Sequence, residues 1–171
     1  PIALVGGDKF RPGCEDLDRA LLASAGVERP VVLVLPTAAA HQMPEKAAAN
    51  GVAYFSELGA DARALMVIES EQADQSESVS DLDSTHVLYM TGGDPGHLVR
   101  TLEGSLLLEA IQNAHGRGVA LAGSSAGAMA LAGWTGRRGW TRALGVVKDL
   151  TVLPHHERAD PSKVAKEVRW T

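Results

Sequence analysis

Several features that would quickly assign a protein are scarce or missing from this sequence. Cys14 is the one cysteine in 171 residues, which excludes an intramolecular disulfide and gives no metal-ligand pattern. It lies in Phe10-Arg11-Pro12-Gly13-Cys14-Glu15, a turn ahead of a helix, where a catalytic thiol is not expected. Aromatic residues make up only 4%, so the core must be built from Ala, Val and Leu, a composition that suits a parallel sheet covered by helices. No apolar run reaches the roughly 18 residues needed to cross a bilayer, and no stretch reads as a signal peptide, so a cytoplasmic protein with no membrane partner is expected. The sequence opens on Pro1 rather than Met, and further terminal residues are expected. Basic residues are outnumbered, with 16 Lys+Arg against 21 Asp+Glu and a net charge of −5, which argues against nucleic acid as the main partner. Neither Gly-x-Gly-x-x-Gly nor Gly-x-x-x-x-Gly-Lys-Ser/Thr occurs, so nucleotide binding has little support.

What is present is the composition of a globular protein, with 45% hydrophobic and 22% charged residues, long enough for a real core in one domain spanning 1–171. Short apolar runs alternate with longer amphipathic ones. Strands are expected at Ile2–Val5, Val31–Leu35, Ala64–Ile68, His86–Met90, Val119–Ala122 and within Leu144–Leu153. Helices are expected at Glu15–Ala25, Glu45–Leu58, Gly96–Ala114 and Ser162–Trp170, with a polar loop and one short helix over Glu69–Asp83. Repeated strand–helix units imply an α/β fold, a three-layer α/β/α arrangement around a doubly wound, mainly parallel sheet. In such sheets ligands bind beyond the C-terminal strand ends. Gly6-Gly7-Asp8, Pro36-Thr37, Gly92-Gly93-Asp94, Ser125 and Pro154-His155 all follow apolar runs and should gather along that edge.

Ser125 is the most informative residue. In Leu121-Ala122-Gly123-Ser124-Ser125-Ala126-Gly127-Ala128 a small residue lies on either side of one hydroxyl, where a buried strand turns into a helix. That is the sequence form of a nucleophile elbow. Gly123 and Gly127 are needed because side chains there would meet the helix start or the neighbouring strand. A serine nucleophile needs a base within hydrogen-bond reach. His155, at the end of the run Leu150-Thr151-Val152-Leu153, is the best candidate, and strand alternation would turn its neighbour His156 the other way. Gly92-Gly93-Asp94 offers backbone N–H groups that could join Ala126 in an oxyanion hole, while Asp94 could cap the next helix or touch substrate. His41, in a loop at the same edge, could also touch substrate.

Gly-Gly-Asp at 92–94, Gly-Ser-Ser-Ala-Gly-Ala at 123–128 and Pro-His-His at 154–156 together resemble peptidase family S51, which includes dipeptidase E and cyanophycinase. The resemblance runs from Ile2 to about Arg158 and implies a class I glutamine amidotransferase-like, flavodoxin-like sheet. It also implies a serine peptidase in which Ser125 is the nucleophile, His155 the base, and Gly93 and Ala126 the oxyanion-hole donors. Neither a metal nor an organic cofactor is implied. The implied substrate is a short peptide carrying an aspartyl residue, and a homodimer is compatible with the pattern. A carboxylate-bearing substrate calls for a cation, for which Arg158, Arg137 and Arg138 are the nearest by sequence, with His156 behind them.

One departure matters. Family members usually place an acid between nucleophile and base, and here only Asp149 lies in that interval. Along one extended strand it would be roughly 20 Å from His155, too far for a bond. Glu157 or Asp160 folding back, an acid on a loop missing from the sequence near 133–140, or a dyad are the alternatives. The gap also supports a rival reading, a non-catalytic binding module that keeps the elbow as architecture. An α/β-hydrolase esterase needs more sheet and helix than the 46 residues after Ser125, and a glutamine amidotransferase would carry Cys there.

Overall fold

A computed structural model describes residues 1–7, 9–10, 13–135 and 141–155. Five parallel strands form the main sheet: β1 (Ile2–Val5), β2 (Val31–Leu35), β3 (Asp61–Ala64), β4 (Val87–Met90) and β5 (Ala120–Ser124), in the order β1-β5-β4-β2-β3. Side chains along a strand alternate between faces, and here both faces are apolar. Leu33, Leu35, Leu88, Met90 and Leu121 enter one core, while Val32, Val34, Val87, Tyr89, Ala120 and Ala122 enter the other. Helices α1 (Glu15–Ala23) and α2 (Pro44–Glu57) cover the second face with Leu21, Leu22 and Phe55. The first face is covered from later in the chain. Its cover includes α3 (Ser70–Ala73), α5 (Pro95–Leu102), α6 (Leu106–Gly116) and α7 (Ala126–Leu131), with α4 (Ser76–Ser80) beside them. The result is the expected three-layer α/β/α fold.

Three expected elements differ. The single helix over 96–114 is two helices, because Gly104 takes φ +75° and Ser105 Oγ caps α6 by accepting from the Leu108 N–H at 3.1 Å. The third strand lies at Asp61–Ala64 rather than 64–68. As an edge strand it is half-exposed and carries the Asp61–Arg63 ion pair at 2.6 Å, whereas Leu65 and Val67 are apolar because they bury in the core beyond it. Glu69–Asp83 holds α3, α4 and a turn of 3₁₀ helix at Asp81–Ser84, not one short helix.

Beyond α7 the chain forms a small second sheet: β6 (Ala132–Thr135) pairs antiparallel with β7 (Thr141–Arg142) and parallel with β8 (Val147–Thr151). The strand expected within 144–153 is therefore present but ends at Thr151, and residues 152–155 run on outside it. The helix expected at Ser162–Trp170 lies outside the described residues.

Beneath α1 the carboxylate of Asp18, only 3% exposed, accepts a 2.8 Å hydrogen bond from the Tyr54 hydroxyl. Burial raises its pKa despite that bond. A carboxyl whose folded pKa lies above its unfolded value contributes fully below the unfolded value and loses that contribution as pH rises through the folded one. At neutral pH the charge therefore costs stability. Asp18→Asn, which keeps an acceptor for Tyr54, is expected to raise the urea midpoint at pH 7, with the difference shrinking towards pH 4. A lower midpoint at pH 7 would contradict this.

Candidate active site

The C-terminal ends of β1, β5, β4 and β2 open into a cleft of about 580 Å³. Its walls include Gly7, Lys9 and Phe10 after β1, Gly92 and Gly93 after β4, Ser125 after β5, the α2 residues Lys46, Ala47 and Asn50, and His155. Of the strand-end segments expected to converge, those of Gly7, Gly92-Gly93, Ser125 and His155 do so, whereas Pro36-Thr37 stays out of the lining, with Thr37 buried and its hydroxyl donating to Val67 O.

Ser125 occupies the turn between β5 and α7 at φ +51° and ψ −107°, a conformation a non-glycine residue rarely adopts and one typical of strain held at functional sites. Its backbone is fixed on both sides: its N–H donates to Val5 O at 2.8 Å, and its carbonyl accepts from the Met129 N–H at 3.0 Å. The flanking glycines behave as their spacing implies. A Cβ on Gly123 would collide with the Gly127 backbone, and a Cβ on Gly127 with the Met90 carbonyl of β4. These contacts let α7 start directly above the sheet and lift the hydroxyl into the cleft.

His155 reaches the same place from β8, at φ +55°. Its N–H donates to Gly6 O at 3.0 Å, and its Nε2 lies 3.3 Å from Ser125 Oγ, in position to accept the hydroxyl proton. Two consecutive carbonyls at the end of β1, those of Val5 and Gly6, therefore hold Ser125 and His155 respectively. The Cε1–Nδ1 edge of the imidazole packs against Gly7, where any Cβ would overlap it. Gly7 was expected at this edge, but its contact depends on a partner 148 positions away, and nothing local in the sequence announces that contact.

The remaining candidates divide. Gly93 lines the cleft at φ +147°, with no room for a Cβ against the Ala38 carbonyl, and the Asp94 N–H donates to that same carbonyl at 2.6 Å. Ala126 opens α7, buried beside the hydroxyl; as the first helical residue its N–H has no acceptor one turn back. Asp94 caps α5 instead of facing the cleft: its Oδ1 accepts from the Gly96 N–H at 2.8 Å and the His97 N–H at 3.1 Å. His41 is exposed and stacks edge-on to His97, with ring centres 4.9 Å apart. Asp149 is exposed in β8. His156, Arg158, Arg137, Arg138, Glu157 and Asp160 lie outside the described residues.

Lys9 is the site residue that the sequence did not reveal. Its ammonium lies 2.8 Å from where a Gly92 Cβ would stand, and Ser125 Cβ lies 3.3 Å from the same point. Burial holds its pKa down to about 8. Lys46 adds a second cation at the exposed rim, and no Asp or Glu of the described residues lines the cleft.

The peptidase family S51 model matches residues 2–167. The chain belongs to peptidase family S51. Within and around that family, cyanophycinases from Nostoc sp. and from Trichormus variabilis are each 27% identical over 129 residues, covering 74% of this chain and 43% of theirs. The chain thus spans less than half the length of these curated relatives. The crystal structure of a peptidase from an acI-B1 Actinobacterium superposes with a TM-score of 0.86 at 28% identity, over 96% of this chain and 73% of that one. A protein designated peptidase E from Listeria monocytogenes shares the fold, with a TM-score of 0.71 at 17% identity over 97% of this chain and 84% of its own. Among the described residues, no helix is long and apolar enough to cross a membrane.

Proposed function

We propose that this S51 chain is a serine peptidase that hydrolyses short peptides, aspartyl dipeptides first among them. The observation that carries the reading is the 3.3 Å approach of His155 Nε2 to the hydroxyl of Ser125 on a strained elbow inside an open cleft. In the proposed reaction Ser125 Oγ attacks the scissile carbonyl as its proton passes to His155 Nε2. The tetrahedral oxyanion is held by the N–H groups of Gly93 and Ala126. Collapse breaks the C–N bond, the leaving amine takes the proton from His155, and water, deprotonated by the same imidazole, releases the acyl group. For this His155 must present an unprotonated Nε2, with its other nitrogen carrying the proton.

A β-aspartyl hydrolase is the second reading, supported by the similarity to cyanophycinases. A panel of Asp-Leu, Asp-pNA, Leu-pNA and β-Asp-Arg separates the two. Turnover of the first two over Leu-pNA is the expected result. Cleavage of β-Asp-Arg alone would move the chain to the second reading. No turnover of any member by folded protein would favour the non-catalytic binding module.

A further inference from the structure

We infer that Lys9 is the residue that selects the substrate's charge, binding a free carboxylate on the residue whose carbonyl Ser125 attacks. The inference deepens the proposed peptidase reading and rests on it for the position of the scissile bond. Its basis is placement. Lys9 and Ser125 face each other across Gly92, the two close approaches of 2.8 and 3.3 Å meeting at the one point where that glycine lacks a side chain. In an aspartyl residue the free carboxylate is separated from the scissile carbonyl by two carbons, Cα and Cβ. It therefore falls between the two groups whether the bond cut is α-aspartyl, with the side-chain carboxylate free, or β-aspartyl, with the main-chain carboxylate free.

The surroundings leave the ammonium available. Among the described residues Lys9 has neither a hydrogen bond nor an ion pair, and burial is the single cause of its lowered pKa. A half-buried cation without a carboxylate partner is costly unless a ligand supplies one. The backing is apolar: Nζ lies 5.9 Å from the Phe10 ring centre, and Phe10 packs on Tyr54, Phe55 and Tyr89. Half-buried there, an ammonium holds a carboxylate more strongly than at an exposed rim, where Lys46 stands. Among the described residues, the titratable side chains that line the cleft with Lys9 are Lys46 of α2 and His155 after β8.

The test compares aspartyl p-nitroanilides, α-linked and β-linked, each with the amide that neutralises its free carboxylate in place: Asn-pNA for the α-linked, and the α-amide of the β-p-nitroanilide for the β-linked. For whichever aspartyl substrate the wild type cleaves, Lys9→Met is expected to lower kcat/KM by on the order of 10²-fold. The matching amide should lose at most about threefold, and Lys46→Gln should cost the aspartyl substrate far less than Lys9→Met. Lys9→Arg, which keeps the charge, should retain most of the preference and controls for folding. Because kcat/KM reports the free enzyme, wild-type activity on the acid should decline above about pH 8 as the ammonium discharges, with no such decline for the matching amide. Equal losses on both substrates in Lys9→Met, or no loss, would overturn the inference. If the wild type cleaves neither substrate, the peptidase reading fails, and calorimetry with succinate then judges Lys9 separately. Binding by the wild type that Lys9→Met loses supports Lys9 as the carboxylate's cation; equal binding by both, or none by the wild type, overturns it.

Discussion

Ser125→Ala is expected to lower the turnover of aspartyl dipeptides by roughly 10⁴-fold or more, the scale on which a nucleophile's removal is felt, with little change in melting temperature. The two halves of that expectation have separate physical grounds. The elbow is held by its backbone, through the bonds of Ser125 to Val5 and Met129 and the glycine contacts on either side, and alanine keeps all of them. Alanine is no better suited than serine to φ +51°, so the strain at the turn neither rises nor relaxes. Only the hydroxyl is lost, and its partner in the cleft is His155. Hydrolysis by Ser125→Ala at the wild-type rate would remove this residue from the chemistry.

The second large effect is expected at a residue with no reactive atoms. Gly7→Ala should reduce kcat/KM by about 10²-fold, the cost of misplacing a reacting group by around an ångström, because the added methyl takes the space of the imidazole edge. Gly7 does not sit at positive φ, so alanine fits its backbone, and the ring of His155 is what must move. Circular dichroism and thermal unfolding should therefore stay close to wild type while activity falls. Unchanged activity would mean that the ring can serve Ser125 from another position; unfolding would mean that the β1 turn cannot accept a side chain at all.

The sequence carried the fold and part of the site for identifiable reasons. Ser125 was legible because an elbow requires small residues at fixed offsets after an apolar strand, and Gly123 and Gly127 meet backbone where such a turn demands it. His155 was legible as Pro-His after an apolar run, although the strand ends at Thr151 and the last four residues reach the site by other backbone. Lys9 and the contact made by Gly7 were hidden. Their importance comes from the approach of the β1–α1 turn to Gly92 and to His155, contacts between segments distant in sequence. Asp94 illustrates an ambiguity of another kind: the same Gly-Gly-Asp pattern serves a ligand-facing turn and a helix cap, and here the carboxylate caps α5. The long helix expected over 96–114 failed because its leucine spacing spans Gly104, and Leu106 faces solvent at 52% exposure instead of continuing the buried stripe.

Whether the Ser125 hydroxyl is activated is the central claim, and it can be tested without knowing the substrate. A fluorophosphonate reacts with a serine whose proton is taken by a neighbouring base and whose oxyanion is stabilised, the same conditions the proposed acyl transfer needs. Mass spectrometry of wild-type protein after labelling should show one adduct, mapped to Ser125, absent from Ser125→Ala and strongly slowed in Gly7→Ala. Folded wild-type protein that acquires no adduct at Ser125 would contradict the account and leave the elbow as architecture.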